Sequence, residues 1–468
     1  MSSQEQRRAV VLGASMAGIL AARVLAESYA EVLVVDRDKV LGVSEARPGT
    51  PHTVHAHALH ARGHLILEDL FPGLTEELTG AGIPSCDLGE MHWYLNARRI
   101  RPARTGLVSV MAPRPLLEEC IRARVAVLPN VTFLERHGIL GVVPSPDRGR
   151  IVGVRVEPPD ALDGGGTDGG EQVLEADLVV DTTGRGSRTP VWLEELGYRR
   201  PAEERVKIGL FYTTQHYKTY PGMLEGVSSI IPVASPDHPR GAFCGRIGPD
   251  RVNLSLTGML GDRPPTDPEG FLDYARTLPI PDIYEAVRDA EPLFAPVSFG
   301  FPASVRRRYE KLGRFPDRYL VMGDAVCSFN PIYGQGMTVA AMEAMALRDR
   351  LRPGGPPSPR EFFAEAARII DTPWQVSVGG DLDFPGVEGP RTMKVRMGNA
   401  YLARLQYAAT RDAKVTEAFM RVAGLLDPPE ALMRPRMAAR VFRHAVRRPP
   451  AGRSWLEQGR AAGVGDHA

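Results

Sequence analysis

The sequence predicts an α/β protein with a dinucleotide-binding sheet, an antiparallel second sheet and a helical C-terminal region. Three observations predict it. Residues 8–36 hold a strand, a glycine turn, a helix and a second strand, the size of one βαβ unit. Residues from about 205 to 300 alternate short strands with turns, and helical patterns dominate after 335.

Each element follows from its residues. The apolar run at 8–12 reads as a buried parallel strand. Residues 13–18 form a tight turn, and Ile19, Leu20, Val24 and Leu25 lie at helical spacing within 19–29. A second buried strand at 32–35 runs directly into Asp36. Further strands are expected at 131–134, 151–156, 173–174 and 178–180, with the glycine-rich stretch 160–170 as a flexible hairpin tip. The antiparallel set is placed at 207–215, 228–233, 241–247 and 252–257, and a short apolar strand at 319–323. Residues 352–360 separate two helices, and the last thirty residues read as basic and helical, then disordered.

Composition narrows the function classes. With 468 residues the chain exceeds one ordinary domain. Lys plus Arg number 57 and Asp plus Glu 56, so no net charge draws the chain to nucleic acid. Cys86, Cys120, Cys244 and Cys327 form no CxxC pair and read as reduced thiols of a cytoplasmic protein. No apolar run is long enough for a transmembrane helix, and the N-terminal apolar stretch is too short for a signal peptide.

The first motif is Gly13-Ala-Ser15-Met16-Ala17-Gly18. A dinucleotide pyrophosphate binds where free N–H groups and the helix dipole face an anion. Gly13 permits the turn, Ser15 stands where the pattern usually has its middle glycine, and Gly18 permits close helix–sheet packing. Asp36, at the end of the second strand, is placed to bind ribose hydroxyls, which favours FAD or NAD over NADP.

The second motif, YLVMGDAVCSFNPIYGQGM at 319–337, opens a helix. It resembles the second FAD fingerprint of the aromatic-hydroxylase class of flavin monooxygenases. The resemblance implies a discontinuous FAD-binding domain of the glutathione-reductase-2 type, with Asp324 on the ribityl chain and Pro331 and Gly334 to Met337 beside the isoalloxazine ring. It further implies that Arg114, at the start of RPLLEECIRARV, reaches the FAD, and that the segment from Arg47 to Leu59 passes the flavin. The candidate cofactor set is therefore Gly13, Ser15, Met16, Ala17, Gly18, Asp36, Arg37, Arg47, Arg114, Ile139, Gly323, Asp324, Pro331, Gly334, Gln335, Gly336 and Met337. Domain boundaries follow: 1–75, 105–195 and 300–355 for FAD, 76–104 and 196–299 for substrate, and 356–468 as the C-terminal helical region.

A third element, ADLVVDTTGRGSR at 176–188, departs from the class. Gly184 and Ser187 match, but Thr183 stands where the family has the Asp linked to NAD(P)H, and Asp181 lies three residues before Gly184. The DTTGRGS form, the histidine-rich loop and Pro373-Trp374 with Asp381, Phe384, Pro385 and Gly389 are most similar to bacterial polyether-type olefin epoxidases, relatives of squalene epoxidase. His52, His55 and His57 lack a carboxylate or Cys at suitable spacing, so no metal is expected.

The resemblance implies that non-covalent FAD is reduced, reacts with O2 and, as the C4a-hydroperoxide, epoxidises a double bond of an apolar polyketide or prenyl chain. NAD(P)H or a separate flavin reductase would supply the electrons. No residue is singled out as catalytic, because alkene epoxidation requires no acid/base pair. Phe211, Tyr212, Phe243, Phe299 and Phe301 are the candidate substrate-binding aromatics. Aromatic hydroxylation, reduction of polyprenyl chains without O2, and a non-catalytic escort of prenylated proteins are the alternatives this fold allows.

Overall fold

A computed structural model describes residues 7–159 and 170–445. Ten of the eleven residues of the expected hairpin tip, and the end of the C-terminal tail, lie outside them.

Five parallel strands form the first sheet, in the order Tyr319–Val321, Leu178–Asp181, Arg8–Leu12, Glu31–Val35 and Val131–Leu134. Both faces are covered, which is why these strands are apolar runs without polar alternation. Ala9, Val11, Val32, Val34 and Val180 pack into the large core that holds the helices Met16–Leu25 and Gly336–Leu351. Their neighbours Val10, Leu12, Leu33, Val35 and Val179 turn the other way, against the antiparallel strands Gly138–Pro144, Ile151–Glu157 and Gln172–Glu175. The first helix is buried nearly all round, because the Gly336–Leu351 helix covers the side the sheet leaves free.

Eight strands form the second large sheet. Its centre is Glu203–Lys218, flanked by Val297–Arg307 and Arg251–Gly258, then Arg240–Arg246, Ser229–Pro232, His92–Leu95 and Arg98–Arg99, with Cys327–Ser328 at the far edge. The pairings are antiparallel except for Ser229–Pro232 beside His92–Leu95. One expectation is corrected. The boundary between 299 and 300 cuts through Val297–Arg307, which pairs with Glu203–Lys218 along nearly its whole length and belongs to this sheet. The strand follows the turn-rich segment 288–296 and contains Gly300 and Pro302, which hid its full extent in the sequence.

One face of this sheet packs on the helices Pro268–Arg276 and Asp282–Val287 through Leu254, Leu256, Cys244 and Phe271. The other faces the parallel-sheet unit, so the site lies between the two sheets. The helices Pro359–Asp381, Met393–Ala409, Ala413–Ala423 and Pro435–Ala445 complete the described residues. Among the described residues no helix is long and apolar enough to cross a membrane.

Candidate active site between the two sheets

The turn after the first strand is built around two glycines. Gly13 has φ +99°, and a Cβ there would meet Thr182 O at 3.0 Å. A Cβ on Gly18 would lie 1.8 Å from Gly13 O, so only glycine lets the helix start this close to the turn. Gly13 N–H donates to Val35 O at 2.8 Å, and Thr182 Oγ donates to Leu12 O at 2.7 Å.

The helix start is electrically dense. Met16 N–H donates to Glu118 Oε1 (3.1 Å), whereas the N–H groups of Ser15 and Ala17 meet no acceptor among the described residues. Glu118 is 2 % exposed and gathers Arg114 (3.0 Å), Arg122 (3.5 Å) and Arg47 (3.8 Å). Arg47 also donates to Ser15 Oγ (3.1 Å) and pairs with Asp36 (3.4 Å) and Asp38 (3.3 Å). Three guanidiniums thus meet three carboxylates around one helix N-terminus, so each buried charge is paired. Asp36 also accepts Ala14 N–H (2.7 Å) and Asp38 N–H (2.9 Å). Arg37 is exposed beside it, and Ile139 is half-buried in the strand opposite Val156, two residues after His137 N–H meets Asp36 O.

The second turn lies across the same helix. Gly323 N–H donates to the buried Glu343 (2.7 Å), and a Cβ on Gly323 would come within 2.8 Å of Ala17 Cβ. The Asp324 carboxylate accepts no hydrogen bond from a described residue. Burial raises its pKa, against the pull of Arg114, Arg185 and Arg307. Pro331 opens a short turn whose Gly334 N–H returns to Pro331 O (3.0 Å). Gln335 is fixed by Ser377 Oγ (2.8 Å), Gly336 starts the long helix with its Cα side toward Asp324, and Met337 is buried behind it. Asp381 holds Asn330 (2.7 Å) and Tyr333 (3.3 Å) from the C-terminal helices.

The loop that starts at Arg47 joins the two turns. Its far end, His60, takes Thr338 Oγ with its N–H (3.0 Å) and Tyr333 O with Nε2 (2.8 Å). Between these anchors His52 meets Arg114 (3.3 Å) and lies against Phe299 and His57. Burial is the largest cause holding His52, His55, His57 and His60 below the ordinary histidine pKa, His52 at about 3 and His55 at about 4, so these four rings are neutral.

The aromatics divide by face. Tyr212 and Phe299 are cross-strand partners and stack with centroids 5.8 Å apart, and Phe301 is buried on the same side under the Arg185 guanidinium at 4.2 Å. Phe243 shares that face opposite Ser255, two strands away. Phe211 is corrected: it precedes Tyr212 on one strand, so it points to the opposite face, where Arg263 covers its ring at 4.0 Å. Glu118, Thr182 and Arg185 were missed by sequence reasoning. Glu118 had a legible signal, its place four residues after Arg114 on one helix face.

The fold is the one seen in solved flavin-dependent monooxygenases. Residues 11–71 match the NAD(P)-binding Rossmann-like domain family. The chain belongs to the family of protein Rv3254 of Mycobacterium tuberculosis, with 34% identity over 434 residues covering 90% of each chain. Among solved structures it is similar to a flavoprotein/dehydrogenase from Cytophaga hutchinsonii (TM-score 0.67, 16% identity, 94% of this chain and 98% of that one). It is also similar to p-nitrophenol 4-monooxygenase PnpA from Pseudomonas putida (TM-score 0.62, 14% identity, 91% of this chain and 99% of that one).

Proposed function

We propose that this chain is an FAD-dependent monooxygenase that transfers one oxygen atom from O2 to a carbon–carbon double bond of an apolar polyketide or prenyl intermediate. The observation that carries the reading is the loop from Arg47 to His60, which ties the Gly13–Gly18 turn to the Asp324–Gly336 turn. One extended dinucleotide would lie along that line. The residues suit FAD in three respects. Ser15 and Ala17 offer N–H groups without an acceptor, the Asp324 carboxylate has no donor, and the Gly336 helix turns its N-terminus toward Asp324.

Bound FAD would supply the activation of O2. The chain supplies the rest. Asp36 would take the ribose hydroxyls, Arg47 and Arg114 would balance the pyrophosphate charge, and Asp324 would take the ribityl hydroxyls. Tyr212, Phe299 and Phe301 form an apolar wall that excludes water and holds the unsaturated carbon in place. NAD(P)H, or a reductase delivering reduced flavin, provides the electrons. The four free cysteines accord with a cytoplasmic setting.

The test supplies purified holoprotein with reductant, 18O2 and either geranylgeraniol or a phenol. An epoxide, or the diol formed when it opens, should carry one 18O. Ring hydroxylation of the phenol with the alkene untouched replaces this substrate class. Colourless protein that stays apo when FAD is added ends the reading.

A further inference from the structure

One continuous polar chain interrupts the apolar wall. His55, Thr214, Ser255, Asn253 and His216 are between 0 and 8 % exposed. Thr214 lies opposite Ser255 and His216 opposite Asn253 on neighbouring strands, so these four share the face of Tyr212 and Phe299. Buried polar groups persist only when bonded, and a defined chain of bonds links these five. His55 Nδ1 lies 2.8 Å from Thr214 Oγ, which lies 2.5 Å from Ser255 Oγ. Ser255 Oγ donates to Asn253 Oδ1 (3.0 Å), and Asn253 Nδ2 faces His216 Nε2 (2.9 Å). Ala56 N–H donates to Ser255 Oγ at 3.1 Å.

The chain has a direction. A hydroxyl has one proton to give. Ser255 gives its proton to Asn253 and accepts from Ala56, so Thr214 gives its own to Ser255 and must accept from His55. His55 therefore carries its ring proton on Nδ1, and Nε2 keeps a lone pair. That nitrogen has no partner among the described residues. The ring stands edge-on to Tyr212 (centroids 4.6 Å, 73°) and 6.0 Å from Phe299. Burial holds it neutral, with a pKa of about 4.

We propose that His55 Nε2 is the hydrogen-bond acceptor of the substrate site, so that the substrate carries a hydroxyl close to its unsaturated carbon, as an enol or allylic alcohol does. This rests on the reading of the Tyr212–Phe299 face as the substrate wall. Thr214, Ser255 and Asn253 are positioning residues that set the tautomer. A histidine that merely pinned the loop to the sheet would need Nδ1 alone and would not distinguish a donor from its methyl ether.

The experiment uses the full-length holoprotein with two probes, geranylgeraniol and its methyl ether, and records flavin content of every sample by absorbance. Wild type should bind the alcohol about tenfold more tightly than the ether, as one buried hydrogen bond allows. His55→Leu should abolish the preference, and Thr214→Val, nearly isosteric, should reduce it. Nitrogen-15 NMR of labelled histidine should show His55 protonated at Nδ1 in wild type and as mixed tautomers in Thr214→Val. Equal affinities, binding of neither probe, or a proton at Nε2 overturns the proposal. A preference that survives in protein unable to take up FAD overturns the cofactor reading and leaves His55 in its role.

Discussion

At the scale of single residues, the two turns make different demands. Position 13 combines a left-handed backbone with a carbonyl 3.0 Å from where a Cβ would sit, so any side chain is strained twice. Asp324 is the reverse case, a carboxylate with room but no donor, and it costs stability unless a ligand satisfies it. Gly13→Val and Asp324→Ala are therefore expected to lower FAD content at least tenfold after gel filtration. Asp324→Ala should keep the wild-type melting temperature of the apoprotein or exceed it. Equal flavin absorbance in variant and wild type would refute both assignments. Glu118 shows how one residue organises several: without it, Arg122, 1 % exposed, would lose the carboxylate it pairs with among the described residues.

At the scale of elements, the Gly336–Leu351 helix carries the main consequence. Its Glu343 is fully buried, accepts Gly323 N–H with one oxygen and leaves Oε1 without a partner. Burial, reinforced by the charge of Asp324, raises its pKa from 4.5 to about 8. Between those values the unfolded chain has lost a proton that the folded chain retains. This contribution to stability is thus complete below about pH 4.5 and is lost as pH rises to about 8. Glu343→Gln keeps the acceptor and removes the titration. It should match wild type in acid and exceed it at the alkaline end by on the order of 1 kcal/mol or more. Denaturant titrations at the two ends of the window measure this, and an equal difference at both would count against it.

At the scale of the whole molecule, the described residues contain one parallel sheet with one glycine turn of the dinucleotide type, between 8 and 35. Thr183, where the aromatic-hydroxylase pattern has an Asp, spends its hydroxyl and N–H on Asp181 (2.6 and 2.8 Å), so position 183 offers no carboxylate to a nicotinamide. Anaerobic stopped-flow is expected to show slow flavin bleaching by NADH or NADPH alone and faster bleaching once a flavin reductase is added. Fast bleaching by either nucleotide alone would make a partner reductase unnecessary.

Local pattern was enough for much of this molecule. The 8–12 and 32–35 strands, the glycine turn between them and the switch to antiparallel strands were legible, because each depends on the period of neighbouring residues and on turn chemistry. The full extent of the strand at Val297–Arg307 was not, since Gly300 is covered by Phe211 of the neighbouring strand and Pro302 sits where the register breaks, neither of which local pattern shows. Nor was the face of each aromatic, because Phe211 and Tyr212 look alike in sequence and only the register of the sheet sends one to Arg263 and the other to His55. The sequence by itself determined an α/β chain with two cofactor-type turns about 310 residues apart. Tertiary structure decided which charges meet at the first turn and which polar groups meet along the sheet, because hydrogen bonding and charge pairing depend on residues distant in sequence and close in space.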